Sequence, residues 1–333
     1  MSPVLSLLDL APIAAGQTAR ESLDASVSLA QAAERAGYQR VWYAEHHNMT
    51  SIASSATSVV IGYVAAHTSS ITLGAGGIML PNHSPLVIAE QFGTLETLFP
   101  GRIDLGLGRA PGSDQVTMRA LRRDHSSAES FPQDVVELQG YLAGESVIPG
   151  VQAVPRAGRP VPLYILGSSM FGAQLAAKLG LPYAFASHFA PDLLHQAVQV
   201  YRRTFQPSAQ LAEPYVIAGV NVVAADTHEE AEAQKTASYR ARTRAFISRG
   251  ANGPAYTDAE IDAFLASPNG QSLAAMTRYT AVGTPEQVRD YLTDFAESCG
   301  ADELITAHHA QSVQDRIRSI ALTGAAMEVP VTA

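Results

Sequence analysis

Short runs rich in Val, Ile and Leu alternate along this chain with longer stretches whose apolar residues return at helical spacing. The runs are VLSLLD (4–9), RVWYAE (40–45), ITLGAG (71–76), RIDLGLG (102–108), LYILG (163–167), YAFAS (183–187), YVIAGVNVVAA (215–225) and ELITAH (303–308). Helical patterns cover 20–36, 53–67, 85–98, 131–143, 171–180, 190–204, 226–247 and 285–298, with a last one near 312–327. Short apolar runs, each followed by an amphipathic helix, predict a parallel sheet buried on both faces. Eight strands in strict alternation fit a closed (β/α)8 TIM barrel better than an open sheet.

Helix boundaries support this register. VGTPEQV places Thr284 as N-cap, Pro285 at the first helical position and Gln287 where a capping box needs it. Asp226 or Thr227 caps the helix that opens with acidic residues. Gly37 and Gly180 mark two helix ends. Two segments exceed a minimal barrel. Residues 145–162 are rich in Pro and Gly and read as a loop excursion; residues 248–283 form an insertion between strands seven and eight. An insertion of that length is expected to act as a lid on an otherwise single-domain barrel spanning 1–333.

Composition narrows the function classes. The 333 residues are 47% hydrophobic and 16% charged, the profile of a soluble globular chain. No apolar run approaches the roughly 20 residues of a membrane span, and the N-terminal segment reads as a strand instead of a signal peptide. A net charge of −9 argues against a nucleic-acid surface, so any anion site must be local. The single cysteine, Cys299, excludes an intrachain disulfide framework and suits a cytoplasmic compartment.

A barrel places its chemistry where strands end and βα loops begin. Those junctions hold Glu45-His46-His47, Gly76-Gly77, Arg109, Gly167-Ser168-Ser169, Ser187-His188 and His308-His309, whereas the opposite junctions (SSIT, FPGR, VPLY, LGLPY) are plain. This asymmetry points to an enzyme. For EHH three readings stand: a metal site, a polar strand end, or an imidazole in the barrel mouth that moves protons. Neighbouring strand residues face opposite ways, so His46 and His47 do not naturally share a metal, and no HExxH-type spacing exists. Gly74, Gly76 and Gly77 allow close backbone approach to a flat ligand, or equally a bulge. LGLGRAPGSD fails as a dinucleotide fingerprint because Pro111 stands where the third glycine belongs. Its informative residue is Arg109, a cation for a phosphate or carboxylate, or for an internal ion pair. Gly167-Ser168-Ser169 leads into a helix whose free N–H groups would cradle an anion, or which the serines simply cap. Met79, Phe189, Tyr256 and Tyr279 would line the mouth or pack in the core.

These segments, in this order, resemble the bacterial luciferase-like flavin monooxygenases: DLAP, WYAEHHN, GAGGIMLPNHSPLVIAEQFGTLE, PGRIDLGLGRAPGSD, LYILGSSMFGAQLAAKLGLPYAFASHFAP and VGTPEQV. The resemblance covers nearly the whole chain. It implies reduced FMN at the C-terminal rim reacting with O2 through a C4a-(hydro)peroxyflavin, with a separate NAD(P)H:flavin reductase as partner and a homodimer. It assigns proton handling to His46, support of the flavin ring to a cis-linked Gly76-Gly77, and the phosphate site to Arg109, Ser168 and Ser169, with Gly167 and Gly172 beside them. The light-emitting relatives carry a reactive cysteine at Gly108, a threonine at Gly172 and a tryptophan near Ser187, departures that bear on light emission and not on flavin binding. F420-dependent relatives exist, yet GLGRAPG and LGSS look closer to the FMN branch. A flavin-storing protein without turnover is the reading from a different class.

Overall fold

A computed structural model describes residues 3–14, 16–110, 114–248 and 256–328. Eight parallel strands close into a barrel: β1 (Val4–Asp9), β2 (Arg40–Tyr43), β3 (Thr72–Met79), β4 (Ile103–Gly108), β5 (Leu163–Gly167), β6 (Tyr183–Phe185), β7 (Val216–Ala224) and β9 (Glu303–His308). Closure runs through the β6–β7 and β9–β1 pairs. A ninth strand, β8 (Thr280–Gly283), pairs only with β7, in register Asn221 to Thr280. The last residues of the expected 248–283 insertion are therefore sheet. Their TAV run was too short to stand out as a strand.

The helices are α1 (Ala19–Arg35), α2 (Thr57–Ala65), α3 (Pro85–Leu98), α4 (Gln115–Ala120), α5 (Phe131–Ala143) and α6 (Met170–Leu179). They continue as α7 (Leu194–Thr204), α8 (His228–Ile247), α9 (Asp258–Ala266), α10 (Pro268–Ala275), α11 (Pro285–Cys299) and α12 (Val313–Ala326). Thr284 and Gln287 form the expected capping box with Pro285 at the first position, and Thr227, not Asp226, caps α8. No helix among the described residues is long and apolar enough to cross a membrane.

Strand alternation sorts the core into two. Val41, Tyr43, Val216, Ala218 and Leu304 join the large apolar layer between sheet and helices. Trp42, Ala44, Ile217 and Ile305 turn inward and meet Leu8, Tyr164 and Ala184 in a small cluster inside the barrel. Below that cluster, at the N-terminal ends of the strands, lies a buried polar plug. Arg40 Nη1 contacts Asp104 Oδ2 at 2.5 Å and the Tyr164 hydroxyl at 2.6 Å, and Arg40 Nε meets Glu303 Oε1 at 2.9 Å. The Ser6 and Tyr215 hydroxyls donate to the same glutamate. The inward pattern thus gives a sealed floor, an apolar middle and an open rim at the strand C-termini.

Candidate active site at the C-terminal rim

Past the end of β2, Glu45 is buried although it carries a carboxylate. It is saturated with hydrogen bonds: the Met79 N–H donates to Oε2 at 3.0 Å, His47 Nε2 lies 2.8 Å from Oε1, and His83 Nε2 lies 2.9 and 3.0 Å from the two oxygens. Burial pushes this carboxyl upward, but the bond and charge of His83, then the bonds from His47 and Met79, outweigh it and hold it below the ordinary glutamate range. Glu45, His47 and His83 each bring one ligand-type atom within 4.8 Å of the others, a donor set able to take a metal ion. The group contains His47 and has His83 as its third member, which the sequence reading did not reveal. The only sequence signal was a histidine in the PNHSP turn after β3. His46 is half-buried at the rim.

The glycines of β3 lie where neighbouring groups leave no room for a side chain. A Cβ on Gly76 would meet Trp42 Cβ at 2.8 Å, and one on Gly77 would meet the Gly106 carbonyl oxygen at 2.7 Å. The Gly76–Gly77 peptide is cis, and the β3–β4 register shifts between Ala75 and Ile78. The register shift bears out the reading of an irregular strand, while the groups that crowd these glycines are Trp42 and the Gly106 backbone of the protein itself.

Arg109 reaches the first turn of the helix that follows the Ser168–Ser169 bend. Gly108 pairs with Leu166 across β4 and β5, and Arg109 lies over the Phe171 ring, its Cζ 3.9 Å from the centroid. Arg109 is exposed and has no carboxylate partner among the described residues, which include every Asp and Glu of the sequence. Ser169 occupies the N-cap of α6 without a side-chain capping bond, and its carbonyl accepts from the Tyr183 hydroxyl at 3.0 Å. Gly172 is buried on the first turn of α6, where a Cβ would sit 3.2 Å from Tyr183. A free guanidinium beside an uncapped helix start is an arrangement that suits a phosphate.

The β6, β7 and β9 side carries the other strand-end histidines, His188, His308 and His309. Asn221 bridges two of them, its Nδ2 donating to the His188 carbonyl at 2.7 Å and its Oδ1 lying 2.7 Å from His309 Nε2. Ser187 donates to the Gly219 carbonyl at 2.6 Å. His308 turns the other way, behind the sheet, with Nδ1 2.7 Å from Ser319 Oγ and Nε2 3.1 Å from Thr306 Oγ1. Of the suggested lining residues, Phe189 is exposed, Met79 and Tyr256 are half-buried, and Tyr279 packs on Phe295 with ring centroids 4.7 Å apart.

A closed parallel barrel with charged and polar side chains gathered on its C-terminal rim is the architecture of TIM-barrel enzymes. Within that class the sequence profile of the luciferase-like monooxygenases matches residues 5–303, and the chain belongs to that family. It is 50% identical over 319 residues to a luciferase-like monooxygenase of Escherichia coli strain K12, covering 95% of both chains. It is 38% identical over 235 residues to the N-acetyl-S-alkylcysteine monooxygenase of Bacillus subtilis strain 168, covering 68% of this chain and 70% of that one. Among solved structures, apo-MsnO8 superposes with a TM-score of 0.88 at 36% identity, covering 98% of each chain.

Proposed function

We propose that this protein is an FMN-dependent monooxygenase working with FMNH2 and O2. The observation that carries the reading is Arg109: an exposed guanidinium over Phe171, next to the uncapped start of α6, with no carboxylate among the described residues to neutralise it. Reduced FMN, when bound, supplies the two electrons with which one oxygen atom of O2 enters the organic substrate and the other leaves as water. Arg109, Ser168 and Ser169 hold its phosphate, with Gly167 and Gly172 keeping the approach open. Gly76 and Gly77 leave a side-chain-free surface for the ring. His46 holds and moves a proton at the rim. The helices α9 and α10, between β7 and β8, exclude water when substrate is bound. A separate NAD(P)H:flavin reductase delivers the reduced flavin, and the protein acts as a cytoplasmic homodimer. The substrate named for the Bacillus subtilis relative makes thioethers of acylated amino acids the first compounds to try.

Titration of FMN and riboflavin against the wild type and Arg109→Gln tests the reading. The wild type is expected to favour FMN, and the variant to lose that preference by about tenfold or more while its riboflavin affinity stays put. Equal affinity of the wild type for both flavins would overturn it. His46→Ala is expected to bind FMN nearly normally and to oxygenate poorly; parallel loss of binding and turnover would remove His46 from proton handling.

A further inference from the structure

Three arginines of α8 stand two residues apart, and they behave differently. Arg240 pairs with Asp262 at 2.6 Å and Arg244 with Asp258 at 2.5 Å, both carboxylates lying on α9. Arg242 lies about 200° around the helix from each of them and turns away from α9. It lines a small cavity with Asn221, Ser238, Tyr239, Thr280 and His309, beside the second half of β7, the start of β8 and the residue after β9. No side-chain carboxylate pairs with it, although every Asp and Glu of the sequence lies among the described residues. Lys235, at the edge of the same cavity, is already paired with Glu232.

Arg242 remains solvent-exposed, yet enough protein surrounds it that burial lowers its pKa. It thus stands in the wall of an open concavity. Two nearby polar atoms lack hydrogen-bond partners among the described residues, Ser238 Oγ and His188 Nδ1. Natural proteins rarely leave such atoms idle unless something else occupies the site. Burial, and secondarily the charge of Arg242, pushes His188 down to about 4 and His309 well below the usual imidazole value. Both rings are therefore neutral at pH 7, and of the two cations lining the cavity, Lys235 and Arg242, Arg242 is the one without a carboxylate partner among the described residues. One guanidinium framed by neutral donors matches a monoanion better than a dianionic phosphate.

We propose that this wall is a second anion pole and that the oxygenated substrate carries a carboxylate, which Arg242 holds. The pole lies on a different part of the rim from Arg109: Arg109 follows β4 and neighbours β5, whereas the cavity borders β7, β8 and β9, with β6 standing between β5 and β7. A substrate anchored at Arg242 would lay its remaining length over the Gly76–Gly77 surface and His46. The proposal deepens the monooxygenase reading and rests on it for the identity of the mouth as the reaction site.

The test is calorimetric titration of the full chain with N-acetyl-S-methylcysteine and with hexanoate, each against its own carboxamide, alongside FMN. The wild type is expected to bind the carboxylates about tenfold or more tightly than the amides. Arg242→Gln should erase that preference and leave FMN affinity unchanged, while Arg242→Lys should keep part of it. Absence of a carboxylate preference in the wild type, failure of both carboxylates to bind, or a preference that survives in Arg242→Gln would overturn the proposal. So would a fall in FMN affinity like that expected of Arg109→Gln, because it would place Arg242 in the cofactor site. Failure of the monooxygenase reading has a separate signature: no FMN preference at Arg109, whatever the amides and acids do at Arg242.

Discussion

The histidines at the strand ends show how little a residue's type says about its use. His47 and His83 are spent on Glu45, His308 is packed behind the sheet against Ser319, and His309 is tied to Asn221. The Glu45 carboxylate organises the first pair. Glu45→Gln replaces one acceptor oxygen by an N–H donor that faces imidazole nitrogen, and is expected to cost about 1–3 kcal/mol in urea unfolding at pH 7. The sign of its pH dependence follows from its lowered folded pKa. Its contribution is complete above the unfolded value of about 4.3 and is lost as pH falls through the folded value, so the variant's deficit should shrink in acid. His308 works over a different range. Burial pushes it down to about 3, so below about 6.5 the unfolded chain takes up a proton that the folded chain refuses. Stability should fall across that range, and His308→Asn should flatten the slope by up to about 1.4 kcal/mol per pH unit. Unfolding midpoints measured from pH 7 to 4 decide this.

Elements were legible where periodicity and punctuation agreed. All eight barrel strands start in the expected runs, with β3 continuing past its run to Met79, and Gly180 ends α6 in the left-handed conformation at φ 62°, as Gly300 ends α11 at φ 65°. The two glycines differ in surroundings. A Cβ on Gly300 would have only Arg202 Nε near it, at 3.9 Å, whereas one on Gly180 would strike the Gln206 carbonyl oxygen at 2.6 Å and Ser208 Cβ at 2.5 Å. Gly300→Ala should cost about 1 kcal/mol and Gly180→Ala more than about 2, because the second adds a backbone clash to the same conformational penalty. Equal losses in denaturant melts would refute that distinction. What escaped the sequence was short or depended on distant partners. The six residues of α4 carry too few apolar repeats to register, and β8 exists only because β7 extends beyond the barrel seam to receive it. Arg109 and Ser168–Ser169 could be found because each follows directly on a strand; Arg242 could not, since it lies within a helix whose polar residues face several directions.

At the scale of the molecule, the barrel separates stability from chemistry along its axis. The rim sets the exposed Arg109 and the half-buried His46 beside the buried Glu45 and Asn221, while the floor holds Arg40, Asp104 and Glu303, joined across 64 and 263 positions of sequence and all buried. That separation made the floor invisible in the sequence, where its members are single polar letters at or near the starts of apolar strands. Burial raises the Asp104 pKa, and Arg40 works against that rise. Removing the cation alone strands two carboxylates in the interior, so Arg40→Met is expected to cost about 3–5 kcal/mol. Neutralising the partners as well removes the cause: Arg40→Met/Asp104→Asn/Glu303→Gln should recover most of the loss, since isosteric apolar or neutral replacements of buried ion networks are often close to neutral. Because the floor lies at the far end of the barrel from Arg109, whatever fraction of either variant stays folded should bind FMN with wild-type affinity. A triple variant no more stable than Arg40→Met would mean that the plug contributes through its packing and hydrogen bonds, and that charge balance is the lesser part of its role.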